Sequence, residues 1–401
     1  MKPMGPIPAD FRAEDGRLLI GGRDFGALID EAGDTPLFVY DMAVVRARID
    51  RLRAALPKGI AIHYAVKANP FPPLVCAMVP LIDGIDVASA GEMALALDAG
   101  MPADAISFAG PGKRDRELEA AIRAGVTINL ESEGEAERAI AIGGSIDVRP
   151  RLAVRVNPDF DLRGSGMRMG GGAKPFGVDA DRATALVRRI VEAGADWRGL
   201  HIFAGSQALD AGAIIETQAA TIALAERIAQ EVGSKPPLVN LGGGFGIPYF
   251  AGDAPLDVEA VGAALPPGAT GYAIELGRWL VGEAGVYLTR IVDRKTSHGE
   301  TFLVVDGGLH HQLAASGNFG TVVRRNYPIA VAGRMGATDK EEVSVVGCLC
   351  TPLDRLGDHV ALPHAEVGDV IAIFLAGAYG ATASPSAFLG HSPALEMLVG
   401  D

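Results

Sequence analysis

Eight short apolar runs, each followed by a stretch with helical periodicity, constrain this chain more than any other feature. The runs are Ile60–Val66, Gly84–Ala88, Ala105–Ala109, Val126–Leu130, Leu152–Asn157, Gly199–Phe203, Pro237–Leu241 and Gly271–Glu275. The clearest helical stretches between them are Gly91–Ala99, Asp115–Ala124, Ser132–Ala141, Asp181–Ala193 and Ala211–Val232. Strands joined through helices run parallel, because the crossover returns the chain to the same end of the sheet. Eight such units match an α/β fold of the (β/α)8 barrel type. A doubly wound open sheet is the rival, since counting does not prove closure.

After Glu275 the pattern changes. Val286–Lys295, Thr301–Asp306, Val343–Leu349, Asp369–Leu375 and Leu395–Val399 are β-rich runs separated by Gly and Pro turns, as in a mostly antiparallel β domain. The expected organisation is a barrel over 36–275 and a β domain made of 1–35 and 276–401. A short strand pair, Arg17–Ile20 with Phe38–Tyr40, is expected near the start.

Composition narrows the function classes. The 401 residues suffice for two domains. With 49% hydrophobic and 21% charged residues, the chain folds rather than staying disordered. No apolar run reaches the ~20 residues of a membrane span. Met1–Asp15 lacks the apolar core of a secretory leader. Against 36 Lys and Arg stand 49 Asp and Glu, a net charge of −13 that repels phosphate backbones and argues against nucleic acid. Three cysteines cannot build a disulfide framework, which fits a reducing cytoplasm.

In a barrel the chemistry sits where the strands end. Lys67 ends the first run. Asp86 lies in the second, Arg155 and Asn157 in the fifth, and His201 in the sixth, which leads into Gly205-Ser206-Gln207. The seventh leads into Gly242-Gly243-Gly244-Phe245-Gly246, and the eighth ends at Glu275 before Gly277-Arg278. A lysine closing a buried strand is either an ion-pair partner or a nucleophile made reactive by desolvation. The glycine run is either a tight turn or a phosphate cradle, to which Ser206 and Arg278 would add donors. Glu275 reads as a base, a metal ligand or the partner of a ring nitrogen. Metal ligation looks poor by spacing. His310 and His311 are adjacent and would face opposite sides of a strand. Cys348 and Cys350, a C-x-C expected on a strand with both side chains on one face, lack two further ligands. Without other context both cysteines read as core residues.

The motifs Tyr64-Ala65-Val66-Lys67-Ala68-Asn69, Gly205-Ser206-Gln207, Gly242-Gly243-Gly244-Phe245, Glu275-Leu276-Gly277-Arg278, Gly347-Cys348-Leu349-Cys350 and Gly377-Ala378-Tyr379-Gly380 occur in this order. Together they resemble the fold-type III pyridoxal-phosphate decarboxylases, whose barrel is alanine-racemase-like. Cys350-Thr351-Pro352-Leu353-Asp354 and Arg325-Asn326-Tyr327-Pro328 further resemble two branches of that family. One acts on glutamyl groups carried by an acyl-carrier protein; the other is associated with exosortase systems. The resemblance implies pyridoxal 5'-phosphate as cofactor, with Lys67 holding it as a Schiff base. Gly242, Gly243, Gly244, Ser206, Gly277, Arg278 and Tyr379 would surround its phosphate. Arg155 would lie near the ring hydroxyl, Asp86 in the shell around Lys67, and Glu275 at the pyridine nitrogen. Cys350 would be the catalytic cysteine, acting across a homodimer with shared active sites.

Two positions depart from the family pattern. Phe203 stands where a histidine usually stacks on the ring, and Thr351 stands where diamino-acid enzymes carry an acid. Thr351, Asp354, Arg324 and Arg325 are the candidate substrate contacts. The reading is an α-decarboxylase for an amino acid or a carrier-tethered, glutamyl-like aminoacyl group. A diamino-acid decarboxylase, a racemase and a non-catalytic cofactor carrier are the alternatives.

Overall fold

A computed structural model describes residues 1–267, 271–317 and 325–400. The chain divides into two compact units. One comprises Ile49–Ile247 and Pro255–Gly277, and the other Met1–Arg48, Pro248–Ala254 and Arg278–Asp401.

The first unit is the barrel. Its strands are β1 (Ala61–Ala65), β2 (Gly84–Val87), β3 (Ile106–Phe108), β4 (Thr127–Leu130), β5 (Arg151–Asn157), β6 (Asp196–Ile202), β7 (Leu238–Gly243) and β8 (Tyr272–Leu276). Each pairs in parallel with the next, and β8 returns to β1 with Glu275 opposite His63, which closes the sheet. All eight expected strands are present, and closure rules out the open sheet. The helices follow local chemistry. Asp115–Ala124 has Asp115 and Glu117 in its first turn, Arg123 in its last, and Gly125 in the left-handed region as its cap, so charge and backbone both favour these ends. Ser132 caps Glu133–Ser145 by accepting from the Glu135 N–H.

The barrel interior is polar as well as apolar. His63, Asp86, Asn129, Arg155, His201, Asn240 and Glu275 are all buried on its strands. Buried polar groups are costly unless hydrogen-bonded; Asn129 donates to the Ser107 hydroxyl, Asn240 accepts from the Gly242 N–H, and the pairings of the others are described below.

The second unit is a mixed, mostly antiparallel sheet. Gly285–Ser297 pairs antiparallel with Glu300–Val305, Val370–Phe374 and Leu37–Asp41. Ile329–Val331 joins Val370–Phe374, and Lys340–Val346 lies between Glu300–Val305 and Arg355–Pro363. Leu395–Val399 pairs in parallel with Leu37–Asp41.

Three expectations change. The barrel unit starts at Ile49 rather than at 36, because Leu37–Asp41 is hydrogen-bonded into the β sheet. Arg17–Ile20 does not pair with that strand but with Ala13–Glu14 and Arg23–Asp24. Cys348 and Cys350 are not on a strand, since Lys340–Val346 stops short of them. Cys348 is half-buried and Cys350 exposed, so neither is a core residue.

Candidate active site

In the barrel unit, Lys67 lies in the one-turn helix Val66–Ala68 directly after β1. The residue is exposed, so the burial cost expected of it does not arise. Its Nζ stands 5.5 Å from the centre of the Phe203 ring, which follows β6. Glu92, on the helix Ala90–Asp98, lies within the reach of the Lys67 charge. Burial raises the Glu92 carboxyl, while the Ala88 N–H and Lys67 pull it back.

Glu275, near the end of β8, is buried and accepts a hydrogen bond from His201 Nε2 at 2.8 Å. Burial drives its carboxyl upward. The bond and attraction to His201, with the charges of Lys67 and Arg155, outweigh burial and hold it at about 2. The group therefore stays an anion.

Arg155 on β5 donates to Glu131 at 2.8 Å, with its guanidinium 5.0 Å from the Phe176 ring. Glu131 also accepts from the backbone N–H of Gly110 and Gly177. Burial raises its carboxyl, but Arg155 and these donors leave it lowered overall. Behind it, buried Lys113 donates to Glu135 and to two carbonyls. Asp86 on β2 faces His63, at 3.2 Å from Nδ1, and Ser107.

The glycine loop is stitched to the segment after β6. Ala208 N–H donates to the Gly244 carbonyl, Gly246 N–H to the Ala208 carbonyl, and Gln207 bonds both the N–H and the C=O of Ile247. A Cβ on Gly243 would lie 1.8 Å from the Glu275 carbonyl oxygen, and one on Gly244 would lie 2.3 Å from that of Gly205. Close backbone packing thus accounts for these glycines before any ligand is considered. Ser206 pairs in a two-residue ladder with Met167, and Gly277 follows β8.

In the β unit, the Arg278 guanidinium lies 4.9 Å from the Tyr379 ring centre and 5.9 Å from that of Tyr249, whose hydroxyl it reaches at 3.4 Å. Tyr379 is held at φ 59°, in the left-handed region. Arg325 stacks 3.7 Å over Phe250. Arg324 lies outside the described residues. Asp354 is buried, and its two oxygens accept from the N–H groups of Leu309 (2.6 Å) and Leu349 (2.9 Å). Burial pushes its carboxyl up. Thr351 Oγ accepts from the Leu353 N–H at 3.3 Å.

The sequence reading passed over Glu131, Glu92 and the pairing of His201 with Glu275. Glu131 had a signal, since it follows β4 directly. The pairing of His201 depends on register across non-adjacent strands and leaves no spacing to read.

The family model described as the pyridoxal binding domain of pyridoxal-dependent decarboxylases matches residues 42–289. The chain is 36% identical over 382 residues to the L-glutamyl-[BtrI acyl-carrier protein] decarboxylase of Niallia circulans, covering 91% of this chain and 89% of that protein. It is 32% identical to the diaminopimelate decarboxylase of Aquifex aeolicus, covering 91% and 87%. The crystal structure of diaminopimelate decarboxylase from M. jannaschii with L-lysine superposes with a TM-score of 0.87 at 26% identity, covering 97% of this chain and 92% of that one.

Proposed function

The chain belongs to the pyridoxal-dependent decarboxylases, and from that premise we propose that it removes the α-carboxylate of a glutamyl-like substrate lacking a distal ammonium, presented on a carrier protein. The family's cofactor is pyridoxal phosphate, and the donor set on the barrel suits it. There is an amine in water for the aldehyde, a carboxylate held ionised for a protonated ring nitrogen, and a flat ring beside the amine.

When bound, the cofactor supplies an electron sink for the bond to the departing carboxylate. The remaining work falls to the chain. Lys67 holds the aldehyde carbon. Glu275, anchored by His201, keeps a proton on the ring nitrogen. Arg155, fixed by Glu131, sets a positive charge near the ring hydroxyl. The phenyl ring of Phe203 offers a stacking surface without a titratable edge. Gly242, Gly243, Gly244, Ser206, Arg278 and Tyr379 are the proposed phosphate ligands. Cys350, exposed in its own protomer, returns a proton to Cα from the partner subunit of a homodimer.

One observation carries the substrate reading. Asp354 is the carboxylate nearest in sequence to Thr351, and both its oxygens are engaged by backbone N–H groups. Thr351 brings no charge. A buried ammonium left without a counter-charge costs several kcal/mol, so lysine, ornithine and diaminopimelate fit poorly. The likeness to a decarboxylase of a carrier-bound glutamyl group supports the same choice. The test is carbon dioxide release from glutamate, carrier-bound glutamyl, lysine, ornithine and diaminopimelate. Faster turnover of any diamino acid than of both glutamyl substrates would overturn it.

A further inference from the structure

We propose that His310, Cys348 and His391 form a binding site for a divalent metal ion of borderline softness, with Zn²⁺ as the natural probe. All three belong to the β unit, on segments far apart in sequence, and their ligand atoms lie within 4.8 Å of one another. The Cys348 sulfur is 3.9 Å from His391 Nε2 and 4.0 Å from Nδ1, and the His310 and His391 ring centres are 5.1 Å apart.

The second observation is His310 itself. It is fully buried, and among the described residues neither of its ring nitrogens has a hydrogen-bond partner. A buried imidazole with two unsatisfied nitrogens is rare and costly. A metal ion would satisfy one of them.

Tetrahedral zinc, with bonds of about 2.0–2.1 Å to nitrogen and ~2.3 Å to sulfur, holds its ligand atoms roughly 3.3–3.6 Å apart. The three side chains need to close by roughly 1 Å. His391 is exposed and free to make that adjustment. The other two are held in place. Asp354 grips the N–H of Leu309, next to His310, and of Leu349, next to Cys348, while the Cys348 N–H donates to the Gly307 carbonyl. One carboxylate thus aligns the backbone beside buried His310 and half-buried Cys348, the kind of outer support metal sites use. His311 stands outside the set, since its nitrogens face the Tyr287 hydroxyl and the Ser392 carbonyl. Three protein ligands leave a fourth position for water. The ion would tie the segment at His391 to the turn that carries Cys350.

From the sequence, no grouping has usable metal-ligand spacing, the C-x-C lacks two further ligands, and His310 and His311 are expected on opposite faces of a strand. They lie instead in a turn with ring centres 3.7 Å apart, and His310 alone points to the cysteine.

The experiment uses the holoenzyme. It is equilibrated with Zn²⁺, dialysed and assayed for metal, then equilibrated with Co²⁺ and read by difference absorption. One ion per chain is expected, with a thiolate-to-cobalt band. Cys348→Ser should abolish the band, and His391→Ala, a surface change that spares folding, should weaken Zn²⁺ binding by at least about 100-fold. Cys350→Ser should keep both signals. Failure to retain zinc, or retention undiminished in both Cys348→Ser and His391→Ala, would overturn the site.

Discussion

Glu275 shows what a single residue carries here. Its carboxyl is held at about 2 in the folded chain against an ordinary 4.5. A lowered carboxylate adds stability that is complete above the ordinary value and lost as the pH falls through the folded one. The gap in melting temperature between the wild type and Glu275→Gln should therefore narrow as the pH drops from 4.5 towards 2. At neutral pH the same variant should lose decarboxylation by roughly 10²–10³-fold, the scale of removing one preorganised charge partner. Lys67 gives a covalent readout. Borohydride reduction followed by peptide mapping should place the cofactor on Lys67, and Lys67→Ala should abolish turnover; label on another lysine would refute the assignment. Both positions are candidates from the sequence because they lie at or just after strand ends in a fold that puts chemistry there. Glu131 offered the same strand-end signal and was passed over, whereas the His201 bond to Glu275 has no signal in spacing, because it joins strands that are not neighbours.

At the scale of elements, the periodic patterns were read well and the turns were not. Eight strands and the ends of Asp115–Ala124 and Ala211–Val232 follow from apolar spacing and caps. The C-x-C failed for a local reason. A Cβ on Gly347 would lie 2.2 Å from the Asp354 carboxylate, so the chain bends around that acid directly after Val346 and leaves the strand. No periodicity encodes an acid seven residues downstream. The barrel glycines permit a sharper test. Gly243→Ala drives a methyl into the β8 backbone at 1.8 Å and should cost about 2–4 kcal/mol in urea unfolding. Gly112→Ala, with nothing within 4 Å, should change stability by less than about 0.5 kcal/mol. Equal effects would show that the loop yields where close packing says it cannot.

At the scale of the molecule, Lys67 and Cys350 fall in different units of one chain. If each active site draws Lys67 from one protomer and Cys350 from its partner, mixing inactive Lys67→Ala and Cys350→Ala subunits should restore up to about a quarter of the wild-type rate, the statistics of a two-fold dimer. No recovery after verified subunit exchange would place both residues in one protomer. Cys350→Ala alone should slow turnover by about 10²–10⁴-fold.

The pairing of Leu37–Asp41 has a further consequence, for the order in which the protein is made. One edge of that strand pairs with Gly285–Ser297 and the other with Leu395–Val399, so both partners lie beyond most of the barrel in sequence. At roughly 5–20 residues per second, the strand leaves the ribosome tens of seconds before its last partner. During that interval its buried sequence, Leu-Phe-Val-Tyr, is an open edge, the kind of segment on which nascent chains aggregate. The barrel can close while the β sheet still waits, and a nascent chain arrested before Leu395 should be cut by protease near Leu37 but resist within the barrel.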